Sequence, residues 1–242
     1  LVLGVYLGLA MPETGFRPRP RHDEAPWRSM VHTLRQGGGA VRASPLLVTL
    51  LLLAAFFGMA SEGFDRLWTV HILDDFGLPS LAGLDPVAWF GIMRGGALVL
   101  GIAGTEAVRR WVNTSDGRVV ARALFASDAL RIASVVLFGL TQNFFVAIPA
   151  MWGASVLRSI NRPIYMAWLN QRLESSTRAT VLSMGGQMDA LGQIVGGPLV
   201  GAVGTASIRA AIVLTGAVLT PALFLYFRAT RQMVTPSGGR WT

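Results

Sequence analysis

The chain has 242 residues, of which 52% are hydrophobic and 14% are charged, and its formal net charge is +8. A soluble domain carries charge on about a quarter of its residues, so this composition excludes an ordinary soluble protein. The chain contains no cysteine, which excludes disulfides and thiolate metal sites. Its arginines lie in the connections between apolar segments, so the basic charge does not indicate nucleic-acid binding.

The first part of the chain differs from the rest. Residues 1–11 are apolar but too short to cross a bilayer, and no basic region precedes them as in a signal peptide. We expect them to be the end of a preceding transmembrane helix. Residues 12–45 are rich in arginine and proline and are predicted to be a cytoplasmic central loop.

Six long hydrophobic segments follow. Each has about 20 residues or more, which lets a helix cross a hydrocarbon core of about 30 Å. Because a helix satisfies its own backbone polar groups, the sequence predicts an all-α integral membrane protein with a six-helix transmembrane bundle at 46–228 and a cytoplasmic tail at 229–242. The predicted helices span 46–73, 87–108, 121–140, 143–169, 179–203 and 207–228.

The charges of the connections alternate along the chain. Arginines occur before the first helix, in 109–120, in 170–178 and after the sixth helix, whereas 74–86 holds only acidic charges and 141–143 holds none. Arginine accumulates in cytoplasmic loops. Both ends of the six-helix unit are therefore predicted to be cytoplasmic, in a multi-pass protein of the plasma membrane.

Ionisable side chains occur inside the predicted spans, where they are costly and favour a functional interpretation. Glu62, Asp65 and Arg66 share one face of the first helix in its outer third. Arg94 of the second helix lies at a similar depth, so we predict one cluster in which Arg94 contacts both carboxylates. An ion pair of Glu62 with Arg66 alone, four residues apart, is the structural alternative.

The third and fourth helices carry a second set of charges. Asp128 and Arg131 lie on the third helix, and Arg158 and Arg162 lie on the fourth. We expect Asp128 to approach Arg158 or Arg162 in the cytoplasmic third of the membrane. A salt bridge that packs the two helices together is the preferred interpretation of this set.

The fifth helix combines glycines with polar residues. Its small-xxx-small pairs, Gly192 with Gly196 and Gly197 with Gly201, allow two membrane helices to approach closely. Such a helix is expected to pack tightly and to line a polar space. Its polar side chains near mid-depth are Gln187, Asp189 and Gln193.

The sixth helix and the outer loop offer fewer candidate functional residues. The sixth helix has no charge between Arg209 and Arg228, so we expect it to be peripheral and to face lipid. Asp74 and Asp75 are expected to lie in an outer loop without partners. The chain has no nucleotide-binding loop with lysine and no hydrolase or zinc-protease motif, so we expect no enzyme, no cofactor and no metal site.

These segments resemble the second half of a major facilitator superfamily transporter. A helix end before Pro12-Glu13-Thr14, a long basic loop and six helices are similar to the end of the family's sixth helix, its central loop and helices seven to twelve. Arg109-Arg110 and Asp116-Gly117-Arg118 are similar to the family's short cytoplasmic motif, although the spacing differs. The run 192–201 resembles the family's Gly-Pro motif, and 61–66 is similar to certain bacterial drug-efflux permeases.

The resemblance implies the C-terminal half of a twelve-helix major facilitator fold, in which two six-helix bundles rock around a central path. It implies that the first, second, fourth and fifth helices line that path. The implied partners are the lipid bilayer, a small-molecule substrate, protons as the coupling ion and a missing N-terminal six-helix half. Nucleic acid is not among them.

Three functions stay open at this point. The leading hypothesis is an antiporter-like permease for proton-coupled efflux of small amphipathic compounds, which would need an apolar, aromatic cavity. A carrier of a polar metabolite would instead need convergent charges near the midplane. The third is a non-transporting six-helix membrane protein. The candidate residues of a substrate and proton pathway are Glu62, Asp65, Arg66, Arg94, Asp128, Arg131, Arg158, Gln187, Asp189 and Gln193.

Overall fold

The structure is a computed structural model that describes residues 38–39, 41, 44–78, 85–111, 116–171 and 178–232. The expectations for 1–11, for most of 12–45 and for the tail beyond 232 lie outside these residues. Within them, the predicted all-α six-helix bundle is confirmed. The helices are α1 (Pro45–Asp75), α2 (Pro86–Trp111), α3 (Gly117–Leu140), α4 (Phe144–Gln171), α5 (Arg178–Gly204) and α6 (Ile208–Gln232).

The helices begin at local capping signals. Side-chain oxygens of Ser44, Asp116, Asn143 and Ser207 each accept a hydrogen bond from a backbone N–H in the first turn of the helix that follows. α1 ends just before Gly77, whose φ of 64° is left-handed. Because these signals are local, the observed ends lie within a few residues of the predicted ones.

The helices are suited to a membrane. Five of the described helices are long and apolar enough to span a bilayer. α5 is long enough, with 27 residues, but its glycines and polar side chains lower its mean hydropathy. α5 therefore needs protein neighbours or a polar space along part of its surface.

α6 has one packed face and one exposed face that carries Phe224 and Phe227, so the expectation of a peripheral helix describes only the exposed face. It packs against both α1 and α3. Its inward stripe is almost completely buried and includes Ala211, Thr215, Leu219, Ala222 and Tyr226. The absence of charge could not distinguish a helix that faces lipid from one that faces protein, because both surroundings are apolar.

Glycines bring α1 and α5 into close contact. A Cβ atom added at Gly58, Gly192 or Gly196 would overlap the backbone of the opposite helix. The predicted close approach is therefore confirmed for Gly192 and Gly196. Gly201 has no atom of another helix within 4 Å of such a Cβ, so the second glycine pair does not make this contact.

The packing leaves a polar layer in the middle of the bundle. Buried apolar side chains form one cluster around Leu124 and Trp168 and another around Phe138 and Met151. Asp128 and Arg131 of α3, and Arg158 and Arg162 of α4, lie between these clusters along their helices. α2 packs on α4, α3 packs on α4 and α6, and α1 and α4 touch each other only slightly. Space therefore remains between α1 and α4.

Candidate functional site

Two cavities lie in this space. The first has a volume of about 360 Å³ and is bordered by α1, α4 and α5. The second has a volume of about 510 Å³ and is bordered by α1, α2 and α4. The four helices that the resemblance implied for the path thus border the cavities, and α3 also borders both of them through Arg131. Arg131, Arg158 and Arg162 line both cavities, so three guanidinium groups stand where the cavities meet.

The first cavity has apolar and polar surfaces. Phe57 and Tyr165 supply aromatic rings that meet edge to face, with centroids 5.6 Å apart. The Tyr165 hydroxyl donates a hydrogen bond to the backbone carbonyl oxygen of Leu50 at 2.5 Å, which ties α4 to α1. The polar lining of the first cavity includes Ser61 and Asn161. The cavity thus combines the aromatic lining and the convergent charges that the sequence left as alternatives.

Asp65 and Arg158 form an ion pair between α1 and α4. Nη1 of Arg158 donates to both carboxylate oxygens of Asp65, at 2.8 and 2.7 Å. Arg94 lines the same second cavity but has no carboxylate at ion-pair distance among the described residues. The predicted contact of Arg94 with Glu62 and Asp65 is therefore absent, because α2 packs against α4 rather than against α1.

Glu62 and Arg66 form a separate ion pair along α1. This is the local alternative that the sequence predicted from their spacing. The side chain of Glu62 lies against Gly197 of α5. Neither residue lines either of the two cavities.

Asp128 lines neither of the two cavities and contacts α6 instead. Its Oδ2 accepts a hydrogen bond of 2.6 Å from the hydroxyl of Tyr226, and both residues are almost fully buried. Its Oδ1 has no hydrogen-bond partner in the part of the chain that the structure describes. The expectation that Asp128 meets Arg158 or Arg162 was wrong, because Arg158 turns to Asp65 and Arg162 to the cavities.

Arg131 and Asn161 are buried beside Asp128 and also reach the first cavity. Their exposed fractions are 5% and 4%. Arg131 is close enough to Asp128 for mutual attraction, and Asn161 lies near both Asp128 and Tyr226. Neither the amide oxygen nor the amide nitrogen of Asn161 makes a hydrogen bond within the described residues. Both amide atoms are shielded from solvent, so they lie against Asp128 and Tyr226 rather than opening into the cavity.

On the α5 side, Gln193 and Asp189 line the first cavity together. Nε2 of Gln193 donates to Oδ2 of Asp189 at 2.9 Å. Gln187 is exposed and lines neither cavity. The predicted candidates that line at least one of the two cavities are Asp65, Arg94, Arg131, Arg158, Asp189 and Gln193.

The pathway candidates chosen from the sequence left out two lining residues, Asn161 and Arg162, although Arg162 was noted as a charge of the fourth helix. Asn161 and Arg162 lie three and four residues after Arg158, so they share its face of the helix. Helical periodicity around Arg158 could therefore have found them. The hydroxyl of Tyr226 on α6 had no such signal, because nothing in the sequence places it beside Asp128.

A further network joins three helices near the junction of α5 and α6. His71 is completely buried, with Nδ1 2.6 Å from Oδ2 of Asp75 and Nε2 2.9 Å from the carbonyl oxygen of Phe138. Nε of Arg209 donates to Oδ1 of Asp75 at 2.9 Å. Asp75 ends α1 rather than lying in a loop, so the expectation that it lacks partners was wrong.

Comparisons with known proteins show the fold. No family model matches the chain, and no curated protein sequence matches it. Its structure is similar to the crystal structure of a bacterial homologue of the human lysosomal transporter Spinster in an inward-facing and unoccupied conformation. The TM-score is 0.68 and the identity 15%, over 98% of this chain and 58% of that protein.

The chain therefore spans little more than half the length of this neighbour. The likeness, together with the apolar helices, shows a multi-pass membrane bundle with a major facilitator fold. The predicted fold is confirmed at the level of an all-α membrane bundle similar to part of this neighbour.

Proposed function

We propose that the chain is the C-terminal half of a secondary membrane transporter that works by alternating access. The observation that supports this most is the convergence of charged side chains from α1, α3, α4 and α5 on cavities in the middle of the bundle. Ionisable groups at membrane depth are costly and typically face a solvated path or a partner. The likeness of the fold to a transporter homologue agrees with this proposal.

Protons are the proposed coupling ion, and Asp65 is the proposed acceptor. Protonation would remove the charge of Asp65 and with it the ion pair to Arg158. The backbones of α1 and α4 are well separated here, so the loss of this pair would weaken the link between the two helices on the side of the second cavity. A proton would thus bias the equilibrium between two arrangements of the bundle, as alternating access requires.

The proposed substrates are small amphipathic compounds, and the proposed direction is efflux across the plasma membrane. Phe57, Tyr165 and Leu182 offer an apolar surface, and Asp189 and Gln193 offer polar groups in the same cavity. The arginine-rich connections support cytoplasmic ends for this six-helix unit. An N-terminal six-helix half is the proposed partner that completes the path.

A carrier of a polar metabolite is the second candidate. It is favoured by the convergence of Arg131, Arg158 and Arg162 on both cavities. A site for purely apolar drugs has no need of three guanidinium groups, because each requires compensation in a medium of low dielectric.

Flux in proteoliposomes that contain the whole protein tests the proposal. Pyranine trapped inside reports proton movement when ethidium, naphthalene-2-sulfonate or succinate is added outside. We expect saturable proton movement with one of the two amphipathic compounds and none with Asp65→Asn. Proton movement with succinate alone would favour the polar-metabolite carrier. No proton movement with any of the three compounds would contradict proton-coupled transport of these classes.

A further inference from the structure

We propose that His71 forms a proton-dependent link that holds the end of α1 against α3 and α6. Its Nδ1 lies 2.6 Å from Oδ2 of Asp75, and its Nε2 lies 2.9 Å from the backbone carbonyl oxygen of Phe138 on α3. Arg209 of α6 donates to the other oxygen of the same carboxylate. The link thus connects three helices through one imidazole ring, and it does not depend on the proposed transport function.

The protonation state of His71 decides how many of its contacts are hydrogen bonds. A neutral imidazole carries one N–H and one bare nitrogen, whereas the imidazolium donates from both nitrogens. Both partners of the ring are acceptors, so a neutral His71 would turn a bare nitrogen toward an oxygen lone pair. A proton on Asp75 instead is disfavoured, because the guanidinium of Arg209 attracts the charged carboxylate. The geometry therefore fits the imidazolium.

Burial makes the loss of one of these hydrogen bonds costly. The imidazole is completely buried, and it packs edge to face with the rings of Phe76 and Phe138, at centroid distances of 5.2 and 4.8 Å. These rings hold the imidazole in one orientation, and a buried nitrogen is not hydrated. A buried polar group without a partner loses its hydration without compensation. Loss of the proton therefore weakens the hold of His71 on either Phe138 or Asp75.

Asp75 and Arg209 are the charged groups that meet this histidine among the residues that the structure describes. Asp74 and Asp85 lie at the same end of the bundle, but both are exposed. The segments of the other helices at this end hold no ionisable side chain: 86–93 of α2, 132–140 of α3, 144–157 of α4 and 195–204 of α5. Within these segments, no second cation is available to replace the proton of His71.

The link is accessible to protons from one end of the bundle. The side chain of Asp75 is 22% exposed, so a proton can reach the buried ring by way of this carboxylate. The connections at this end, 74–86 and 141–143, carry acidic charges or none, and they are predicted to face away from the cytoplasm. The link would therefore respond to the pH outside the cell and is distinct from the Asp65 pair.

Thermal unfolding at two pH values tests the link in the whole protein in nanodiscs. An unconstrained histidine loses its proton at about pH 6.5, so stability that needs the imidazolium is present below this pH and lost above it. We expect the wild type to exceed His71→Gln in melting temperature by about 3 °C more at about pH 5.5 than at about pH 8. Asp74→Asn is the control, because it changes an exposed neighbour outside the link.

Nitrogen NMR observes the protonation state directly. The protein is labelled with nitrogen-15 histidine, and the signals that disappear in His71→Gln belong to His71. We expect two protonated ring nitrogens at about pH 5.5. If His71→Gln does not fold, Asp75→Asn still decides by its melting temperature, because the amide keeps the size of the carboxylate but removes the charge that attracts the imidazolium. It should abolish most of the extra stability at acidic pH.

Three results would overturn the proposal. The first is a difference in melting temperature between the wild type and His71→Gln that is equal or smaller at the acidic pH. The second is a bare ring nitrogen on His71 at about pH 5.5. The third is an Asp75→Asn protein that keeps the full pH dependence of the wild type.

Discussion

Asp65 of α1 and Arg158 of α4 form an ion pair between two helices whose backbones are well separated. The carboxylate is 43% exposed and the guanidinium 40% exposed, because both line the second cavity. Solvent screens such a pair, so its contribution to stability is at most about 1 kcal/mol. Because the pair lies between the two helices that border both cavities, we expect it to affect their movement more than the stability of the protein.

We therefore predict that Asp65→Asn and Arg158→Gln leave the melting temperature of the detergent-solubilised protein nearly unchanged. Flux per folded protein should fall severalfold in both variants, since the coupled movement loses an electrostatic bias of up to about 1 kcal/mol, which is about fivefold in an equilibrium constant. Glu106→Gln is the matched control, because Glu106 pairs with Arg109 and Arg110 on an exposed surface away from both cavities. A clear loss of melting temperature with normal flux per folded protein would make the pair a static brace.

The contact of α1 with α5 depends on Gly192. We predict that Gly192→Ala lowers the free energy of unfolding by about 1–3 kcal/mol, because the added Cβ overlaps the carbonyl oxygen of Ala55 and the helices must separate. Gly201→Ala is the control on the same helix, with no neighbouring atom near its added Cβ. Thermal unfolding followed by size-exclusion chromatography measures both. Equal stability of the two variants would contradict the observed packing.

The network around His71 should stabilise the junction of α1, α3 and α6. Asp75→Ala removes the partner of both His71 and Arg209, and we expect a loss of about 1–3 kcal/mol in the free energy of unfolding. Asp74→Ala removes an equal charge from the neighbouring exposed position and should have little effect. If Arg209→Ala weakens the protein as much in the Asp75→Ala background as in the wild type, the two residues are not coupled.

The arginine-bearing connections are predicted to be cytoplasmic. The chain has no cysteine, so Asp74→Cys and Arg118→Cys each introduce a single thiol at an exposed position. A membrane-impermeant maleimide should label the cysteine at position 74 in intact cells and the one at position 118 only after permeabilisation. Labelling in the reverse pattern would invert the proposed topology.

The helices and their ends could be read from the sequence because their causes are local. Apolar length decides whether a segment spans a membrane, and caps such as Ser44 and Asp116 decide where it begins. The ion pair of Glu62 with Arg66 and the close approach at Gly192 follow from spacing along one helix in the same way. The sequence by itself therefore determined the class of protein, the six helices and most of the charged candidates.

Only the tertiary structure decided which charges meet. Arg158 binds Asp65, and Tyr226 reaches Asp128, because α4 lies beside α1 and α6 lies beside α3. Nothing local selects these neighbours: long arginine side chains can reach several carboxylates, and an apolar helix surface suits lipid and protein equally. The packing of all six helices selects them together, because each buried polar group must find its partner on a helix that is distant in sequence.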